Sequence, residues 1–214
     1  MSGGKFITLE GGEGVGKSTQ ARLLLDRIKE SGHAAIMTRE PGGSELAEAV
    51  REFVLSGEAK EFGPFAEAVL FTIAREDHLE QTIRPALERG YWVVCDRFID
   101  STRAYQGTAG VPPGVIKALD RLIVHDTRPD LTIVLDLPPE EGLARAARRS
   151  GGNGHGDPQD PFESRELGYH LALRDAFLNI ARNEPERVVV VDASRHEVEV
   201  AEDVWDAVAE RLKP

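Results

Sequence analysis

The 214-residue chain has a single cysteine, Cys95, and no apolar stretch close to the length of a membrane span. One cysteine excludes an intrachain disulfide, which is typical of a reducing compartment, and its apolar neighbours favour a core residue over a nucleophile. Crossing a bilayer takes about 20 apolar residues, so we expect no membrane-spanning helix. We also expect no signal peptide, because the first predicted strand begins close to Met1. These absences together predict a cytoplasmic protein.

The chain also has little positive charge, with 26 Lys and Arg against 37 Asp and Glu and a net charge of −11. A general nucleic-acid binder is therefore not expected, because such proteins carry a basic surface. No cluster of histidines or cysteines suits a metal site. No Asn-Lys-x-Asp segment follows the fourth predicted strand, which disfavours a guanine-specific switch. No repeat and no second domain is visible, so 1–214 is predicted to be one domain.

The most specific motif is the loop Gly11-Gly12-Glu13-Gly14-Val15-Gly16-Lys17-Ser18. It fits the phosphate-binding P-loop pattern, and it stands between a predicted strand and a predicted helix, as that pattern requires. Its backbone N–H groups and the start of the helix favour phosphate oxygens. Lys17 suits the β- and γ-phosphates, and the Ser18 hydroxyl suits Mg²⁺. The alternative is a chance glycine-rich turn, against which the flanking strand and helix argue.

Short runs rich in Val and Ile alternate with helical patterns along the chain. Such runs are expected when both faces of a parallel sheet are covered. The alternation predicts a doubly wound parallel sheet of about five strands flanked by helices. Together with the glycine loop, this predicts an α/β fold of the P-loop NTPase kind with three layers and a five-stranded sheet. Strands are predicted near 5–10, 34–38, 91–95, 131–136 and 187–192. Helices are predicted near 17–31, 44–56, 64–89, 112–126, 139–149, 163–183 and 196–212.

Charged residues follow the second and third predicted strands, at the edge where parallel sheets bind ligands. Asp96 is placed to hold Mg²⁺ beside a P-loop, directly or through water, and Arg97 to neutralise phosphoryl charge. The alternative is a surface ion pair. Arg39 precedes a tight turn at 40–43 and is a candidate contact for a second phosphate group. Ser44 is a candidate helix N-cap.

Phe71 and Arg75 are four residues apart on one predicted helix and therefore share a face. A ring and a guanidinium on one face suit a nucleobase, which the ring stacks on and the guanidinium hydrogen-bonds. The alternative is a core Phe beside a solvated Arg. Spacing alone favours this second interpretation.

Two segments interrupt the helical patterns. Residues 101–113 contain two glycines and two prolines, which predicts a loop or irregular turn. Residues 150–161 are glycine-rich and polar, and they suit either a disordered surface loop or a mobile lid at about 148–163. Arginines at 145, 148, 149 and 165 flank the second segment, and they favour the lid.

Together these segments resemble those of bacterial thymidylate kinases over nearly the whole chain. The P-loop alone is shared by many nucleotide enzymes, whereas the Arg39 turn combined with Asp96-Arg97-Phe98 and the segment 104–107 is far more specific. The resemblance rests on Phe6–Gln20, Thr38–Ser44, Asp96–Phe98, Ser101–Gly107, Arg128–Thr132, Leu135–Glu140 and Val191–Ala193.

The resemblance implies an enzyme that transfers the γ-phosphoryl group of ATP to dTMP, giving dTDP and ADP for dTTP synthesis. It also implies Mg²⁺, a homodimer, and neither nucleic acid nor membrane as a partner. The implied catalytic residues are Glu13, Lys17, Arg97 and Arg149. The implied ATP-binding residues are Gly11, Gly12, Glu13, Gly14, Val15, Gly16, Lys17, Ser18, Thr19, Arg145 and Ser194. The implied dTMP-binding residues are Glu13, Arg39, Pro41, Phe71, Arg75, Arg97, Ser101, Thr102, Tyr105 and Gln106. The implied Mg²⁺ ligands are Ser18 and Asp96.

Within this resemblance Phe71 stacks on thymine and Arg75 bonds its exocyclic oxygen, which reverses the preference drawn from spacing. Members of the family carry a catalytic arginine in the P-loop or in the lid. Gly14 occupies the P-loop position here, so a lid arginine is implied, and Arg149 matches that region. Pro161 stands where such members usually have an arginine. Arg148 and Arg165 are therefore alternatives to Arg149.

Two other functions stay open at this stage. One is a kinase of another nucleotide or small metabolite on the same fold. The other is a nucleotide-binding regulator that uses the P-loop as a switch and has no acceptor. The Arg39 turn and the Phe71–Arg75 pair argue against the regulator, because a switch needs no second nucleotide site.

Overall fold

One sheet of five parallel strands, in the order β2-β3-β1-β4-β5, forms the centre of the protein. The structure is a computed structural model that describes residues 3–152, 162 and 165–214, with the backbone alone at 149–152. The strands are β1 Phe6–Glu10, β2 Ala35–Arg39, β3 Trp92–Asp96, β4 Leu131–Asp136 and β5 Val188–Asp192. Each lies within one residue of its predicted bounds, so the predicted five-stranded sheet is confirmed.

Helices cover both faces of the sheet and make three layers. They are α1 Lys17–Glu30, α2 Glu45–Leu55, α3 Gly63–His78, α4 Arg84–Glu88, α5 Ile99–Thr108, α6 Pro113–Ile123, α7 Pro139–Gly152, α8 Leu167–Asn183 and α9 Glu197–Leu212. On one face α1 and α9 pack through Leu24 and Val204. On the other face α5 and α8 pack through Ala104 and Phe177. The predicted three-layer fold is confirmed.

The burial of each strand follows its place in the sheet. Every residue of the central strands β1 and β3 is buried, because helices cover both faces there. The edge strands β2 and β5 leave some residues partly exposed or exposed. This is why the central strands consist mainly of apolar residues. Each of them ends in a carboxylate, Glu10 in β1 and Asp96 in β3.

The predicted loop at 101–113 is wrong over most of its length. Helix α5 occupies Ile99–Thr108, and only a short turn separates it from α6. Gly107 stands in the last turn of α5, where a helix tolerates glycine, and Pro113 opens α6, where its missing N–H costs nothing. Glycine and proline therefore lie at the ends of two helices here rather than in a loop.

The predicted helix at 64–89 is interrupted. Helix α3 passes through a wider helical turn at Leu79–Ile83 into α4, and a short 3₁₀ helix at Glu58–Phe62 precedes α3. Pro85 lies in the first turn of α4 and has no N–H to donate to the preceding turn.

The strand register brings the loops at the carboxyl edge together. Leu9 and Arg39 both pair with Asp96, so the segments after β1, β2 and β3 begin side by side. In open parallel sheets ligands bind at this edge. Within the described ranges, no helix has the length and apolar character that a bilayer crossing requires.

Candidate functional site

The loop between β1 and α1 is shaped by glycines. Gly14 and Gly16 have φ values of 66° and 95°, in the left-handed region where a side chain is strained. The Lys17 side chain is buried and donates hydrogen bonds to the carbonyls of Gly11 at 3.1 Å and Gly12 at 2.6 Å. Burial, reinforced by the charge of Arg97, lowers the pKa of the Lys17 amine to about 8. This loop and the start of α1 can cradle phosphate.

Ser18 and Asp96 lie together beside this loop. The Ser18 hydroxyl donates a hydrogen bond of 2.5 Å to Oδ2 of Asp96, which ends β3. A hydroxyl and a carboxylate are hard oxygen ligands of the kind Mg²⁺ takes together with substrate phosphates. Among the described residues, no group of three or more His, Cys, Asp or Glu could hold a metal ion. Ser18 and Asp96 could supply two oxygen ligands to such an ion and leave its other positions to phosphate or water.

Arg97 is the central cation of the site. Its φ of 72° is unusual for a residue with a side chain. Its guanidinium donates to the Gly11 carbonyl and to Ser101 Oγ, both at 3.2 Å, and to Glu13 Oε1 at 3.1 Å. Despite burial, neighbouring carboxylates and Tyr105 raise its pKa above the ordinary value. Arg97 therefore keeps its charge beside the glycine loop.

Glu13 is held between Arg97 and Tyr105. The Tyr105 hydroxyl donates a hydrogen bond to Glu13, and the Arg97 guanidinium lies 4.9 Å from the centre of the Tyr105 ring. Burial favours the neutral acid, but the charges of Arg97 and Lys17 outweigh it and lower the pKa of the Glu13 carboxyl. The acid in the glycine loop is therefore ionised and fixed in place.

Arg75 is buried, with 3% of its surface exposed, so the alternative with a solvated guanidinium is excluded. Nε donates to Glu40 Oε2 at 2.7 Å, and Nη2 donates to Thr102 Oγ1 at 3.0 Å. The guanidinium lies 5.1 Å from the centre of the Phe98 ring. Burial opposes the charge, but Glu40 and Asp120 raise the pKa of Arg75 above its ordinary value.

Two buried polar atoms at this end of the site have no hydrogen-bond partner among the residues described. They are Nη1 of Arg75 and Oε1 of Gln106. Oδ1 of Asp120 is 3.9 Å from Nη1, which is too far for a hydrogen bond. Thr102 and Gln106 are four residues apart on α5 and share a face. Phe71 is partly buried against the core cluster that contains Ala104 and Phe177.

Arg39 is placed differently from Arg97. Its side chain is half exposed, and Nη2 donates to both Glu48 oxygens at 2.9 Å. Glu48 also accepts the Gly43 N–H at 2.9 Å. The Pro41 carbonyl accepts a hydrogen bond from Arg51 at 3.2 Å. The structure thus pairs the Arg39 side chain with Glu48 of α2, whereas the Arg97 side chain bonds Glu13 and Ser101.

Ser44 occupies the predicted N-cap position of α2, but its side chain makes no capping hydrogen bond.

Two of the implied ATP-binding residues, Arg145 and Ser194, lie by the loop that follows β5. Arg145 on α7 donates to the Ala193 carbonyl at 3.0 Å, next to Ser194. Ser194 is exposed, and its N–H donates to Asp192 Oδ1 at 2.9 Å. Val15 is buried and lies in the same core cluster as Ala193. Thr19 lies in the first turn of α1.

Most of the predicted lid at about 148–163 lies outside the described residues, as does the side chain of Arg149. Arg148 is exposed and donates to the Ala144 carbonyl at 3.2 Å. Arg165 lies over the rings of Phe162 and Tyr169, 4.9 Å and 4.3 Å from their centres. Arg165 is thus held against aromatic side chains at the start of α8.

Sequence reasoning missed three buried side chains that hold this site together, Glu10, Glu40 and His78. Glu10 accepts the Phe98 N–H at 2.8 Å and the Ser101 hydroxyl at 2.6 Å. Burial, reinforced by Asp100, raises the pKa of Glu10 to about 8. A signal for Glu10 was present, since a carboxylate ends an apolar strand directly before the loop. Nothing along the chain links Glu40 or His78 to Arg75.

Cys95 is buried in β3, and burial raises the pKa of its thiol well above the ordinary value. A thiol in this environment stays protonated, which agrees with the predicted core role.

The sheet order, the glycine loop and the cations behind it are those of a P-loop nucleotide-binding protein. A model of the thymidylate kinase family matches residues 9–204. The chain belongs to the thymidylate kinase family.

Related proteins match the chain over nearly its whole length. The thymidylate kinase of Bradyrhizobium diazoefficiens is 53% identical over 212 residues, which cover 99% of this chain and 91% of the relative. That of Rhodopseudomonas palustris is 51% identical over 211 residues, covering 98% and 90%. The crystal structure of thymidylate kinase from Ehrlichia chaffeensis is 31% identical with a TM-score of 0.77, covering 96% of this chain and 99% of that one.

Proposed function

We propose that this protein is an ATP-dependent kinase of dTMP, which transfers the γ-phosphoryl group of ATP to the dTMP phosphate and gives dTDP and ADP. Membership of the thymidylate kinase family supports this function. The glycine loop supplies a site for the ATP phosphates. The buried side chains of α3 and α5 would supply a second site for the acceptor.

The observation that carries the proposal is the pair of buried, unpartnered atoms, Nη1 of Arg75 and Oε1 of Gln106. One is a hydrogen-bond donor and the other an acceptor. Thymine offers an acceptor oxygen at C4 and a donor N–H at N3, which complement this pair. Cytosine offers an amino group at C4 and an acceptor at N3, which leaves both protein atoms unpaired. Unpaired buried polar groups are costly, so the pair favours thymine.

The residues around the phosphates would act mainly by position and charge. The acceptor phosphate is already an anionic nucleophile, so no general base is required. Lys17 and Arg97 neutralise charge on the transferred group, and the loop N–H groups hold the β- and γ-phosphates. Lys17 bonds the carbonyls of Gly11 and Gly12 and would exchange them for phosphate oxygens. To reach the acceptor phosphate, Arg39 would break its hydrogen bonds to Glu48.

Mg²⁺ would be held by Ser18 and Asp96, whose oxygens are already in contact. When bound, the ion neutralises phosphate charge and fixes the donor nucleotide. Glu13 and Tyr105 would face the acceptor's sugar, and the Tyr105 ring under Arg97 would leave no room for a 2′-hydroxyl. Phe71 would stack on the base.

Arg145 and Ser194 would contact the adenine end of ATP, since Arg145 already bonds the carbonyl next to Ser194. The arginine that completes the phosphoryl site is proposed to be Arg149. Arg148 and Arg165 are the alternatives, and Arg165 would first have to leave its aromatic contacts.

The test is a calorimetric titration of the enzyme, without ATP, with dTMP, dCMP and dGMP in turn. We expect dTMP to bind at least about tenfold more tightly than dCMP, because dCMP leaves the Arg75 and Gln106 atoms unpaired. The comparison with dGMP is informative, because guanine presents the same donor and acceptor on a larger ring. Binding of ATP with no monophosphate binding would instead favour the regulator.

We further propose that the protein is a homodimer that pairs through an apolar face formed by α3 and the turn before it. Phe62, Phe65 and Ile73 are exposed there, with Phe62 66% exposed. Patches of this kind mark interfaces. Sedimentation equilibrium would give twice the mass of the chain, and Phe65→Glu would give the monomer. A cytoplasmic location stays a prediction.

A further inference from the structure

A chain of hydrogen bonds connects the end of β2 with the Arg75 guanidinium. Thr38 Oγ1 and His78 Nε2 are 2.7 Å apart, and His78 Nδ1 is 3.1 Å from Glu40 Oε1. Glu40 Oε2 accepts from Arg75 Nε at 2.7 Å. Glu40, His78 and Arg75 are all buried, and His78 is fully enclosed. These groups join the turn after β2 to helix α3.

The chemistry of the side chains determines which atoms in this series of hydrogen bonds carry the protons. An ionised Glu40 carboxylate only accepts hydrogen bonds, so Nδ1 of His78 must carry the proton that is shared with Glu40. Nε2 shares a hydrogen bond with the Thr38 hydroxyl, whichever of the two donates. Each oxygen of Glu40 thus has its own donor, and the Arg75 charge has a direct counter-charge.

Because Gly43 has no side chain, the His78 imidazole and the Thr38 hydroxyl have space to meet beside it. A Cβ at Gly43 would lie 2.4 Å from His78 Nε2 and 2.5 Å from Thr38 Oγ1, and the φ of Gly43 is 85°. The tight turn after Arg39 therefore lets the imidazole reach between Thr38 and Glu40.

The result of the chain is a guanidinium fixed at two of its three nitrogens. Nε is held by Glu40 and Nη2 by Thr102, and the central carbon of the guanidinium lies 5.1 Å from the centre of the Phe98 ring. Because a guanidinium is planar and rigid, fixing two nitrogens fixes the direction of the third. The third is Nη1, a buried donor with no hydrogen-bond partner among the residues described, which lies 3.9 Å from Asp120 Oδ1.

We propose that Glu40 and His78 are positioning residues, which aim Nη1 of Arg75 at the acceptor base and so set the choice of nucleotide. This inference rests on the proposed function. Neither side chain needs to touch substrate. Glu40 holds the guanidinium, and His78 holds Glu40.

Glu40→Gln is the first test, because it keeps the shape of the side chain and can keep every hydrogen bond. The amide oxygen can accept from Arg75 Nε, and the amide N–H can donate to the other tautomer of His78. Only the charge is lost, and charge-assisted hydrogen bonds are about twice as strong as neutral ones. We expect the KM for dTMP to rise, and the preference for dTMP over dCMP to fall, by about tenfold. We expect kcat and the KM for ATP to change by less than about threefold.

His78→Asn and His78→Gln form a matched pair. The Asn amide nitrogen lies where Nδ1 of histidine lies, so Asn can still donate to Glu40. The Gln amide nitrogen lies where Nε2 lies, so Gln reaches Thr38 and leaves Glu40. Both variants lose the imidazole and are comparably destabilised. We expect Asn to keep the dTMP preference within about threefold of the natural enzyme, and Gln to lose about tenfold.

Two results would overturn the inference while leaving the proposed function intact. One is an unchanged preference for dTMP in both Glu40→Gln and His78→Gln. The other is an equal loss in His78→Asn and His78→Gln that follows melting temperature, which assigns the pair a purely structural role. Failure of the natural enzyme to phosphorylate dTMP is a separate result, which defeats the proposed function and the inference together.

Discussion

Gly14 of the glycine loop packs directly against Gly142 of α7. A Cβ on residue 14 would lie 1.9 Å from the Gly142 carbonyl oxygen, and a Cβ on residue 142 would lie 2.3 Å from the Glu13 carbonyl oxygen. The loop and the helix thus meet backbone to backbone, and residue 14 has no room for any side chain. This contact gives a steric reason why position 14 carries no arginine.

Gly14→Ala tests this contact. We expect a loss of about 2–4 kcal/mol in the free energy of unfolding, because the change combines a steric clash with a left-handed φ. The melting temperature should fall by roughly 5–15 °C for a chain of this size. Gly114→Ala in α6 is the control, since a Cβ there meets nothing within 4 Å. Equal melting temperatures in the two variants would contradict the account of this contact.

Lys17→Ala tests the assignment of the phosphate loop. We expect kcat for phosphoryl transfer to fall by at least about 10²-fold, because the variant lacks a buried cation beside the transferred group. Circular dichroism should show an intact fold. The Lys17 amine donates to the carbonyls of Gly11 and Gly12, so its removal takes no hydrogen-bond donor from a carboxylate. A variant that keeps more than a tenth of the natural rate would refute the assignment.

The pH dependence of ATP use follows from Lys17. Burial, reinforced by Arg97, lowers the pKa of its amine from 10.5 to about 8 in the free enzyme. The charged amine binds phosphate better, so kcat/KM for ATP should fall as the pH rises through 8.

Glu10 has a pKa of about 8 as well, so the profile is compared with that of Glu10→Gln. The variant has no titrating group at position 10 and should show the same fall. If kcat/KM for ATP in the Glu10→Gln variant stayed constant from about pH 7 to pH 10, Lys17 would be excluded as the titrating group.

Asp96→Asn tests the proposed Mg²⁺ site. The amide keeps the hydrogen bond to Ser18 but removes the negative charge that attracts the ion. We expect the Mg²⁺ concentration for half-maximal rate to rise about tenfold or more, with a lower maximal rate. Asp126→Asn is the control, because Asp126 is exposed and lies in the turn that precedes β4, at the amino end of that strand. The same Mg²⁺ dependence in both variants would remove Asp96 from the site.

The fold and the glycine loop could be predicted because the residues that determine each strand, helix and loop are contiguous in the sequence. Buried strands such as β3 are unbroken apolar runs, and the loop from Gly11 to Ser18 carries its own strand and helix. Helix α5 was missed because Gly107 and Pro113 signal a break, although glycine is tolerated in a last helical turn and proline in a first one.

The orientation of Arg75 could not be predicted because it depends on residues distant in sequence. Spacing gave Arg75 a face shared with Phe71, but burial of the guanidinium requires Glu40 from the turn after β2 and Thr102 from α5. The same holds for Arg97, whose left-handed φ no local pattern signals. Long-range charge pairing decided both positions.

The most direct measurement is ADP formation from MgATP with dTMP, dUMP, dCMP, dGMP, AMP and shikimate offered separately, with the phosphorylated product identified. The account predicts strong turnover with dTMP, weaker turnover with dUMP, and little with the others. The same rate with and without each acceptor would contradict it, and the protein would then be a nucleotide-binding regulator with slow ATP hydrolysis.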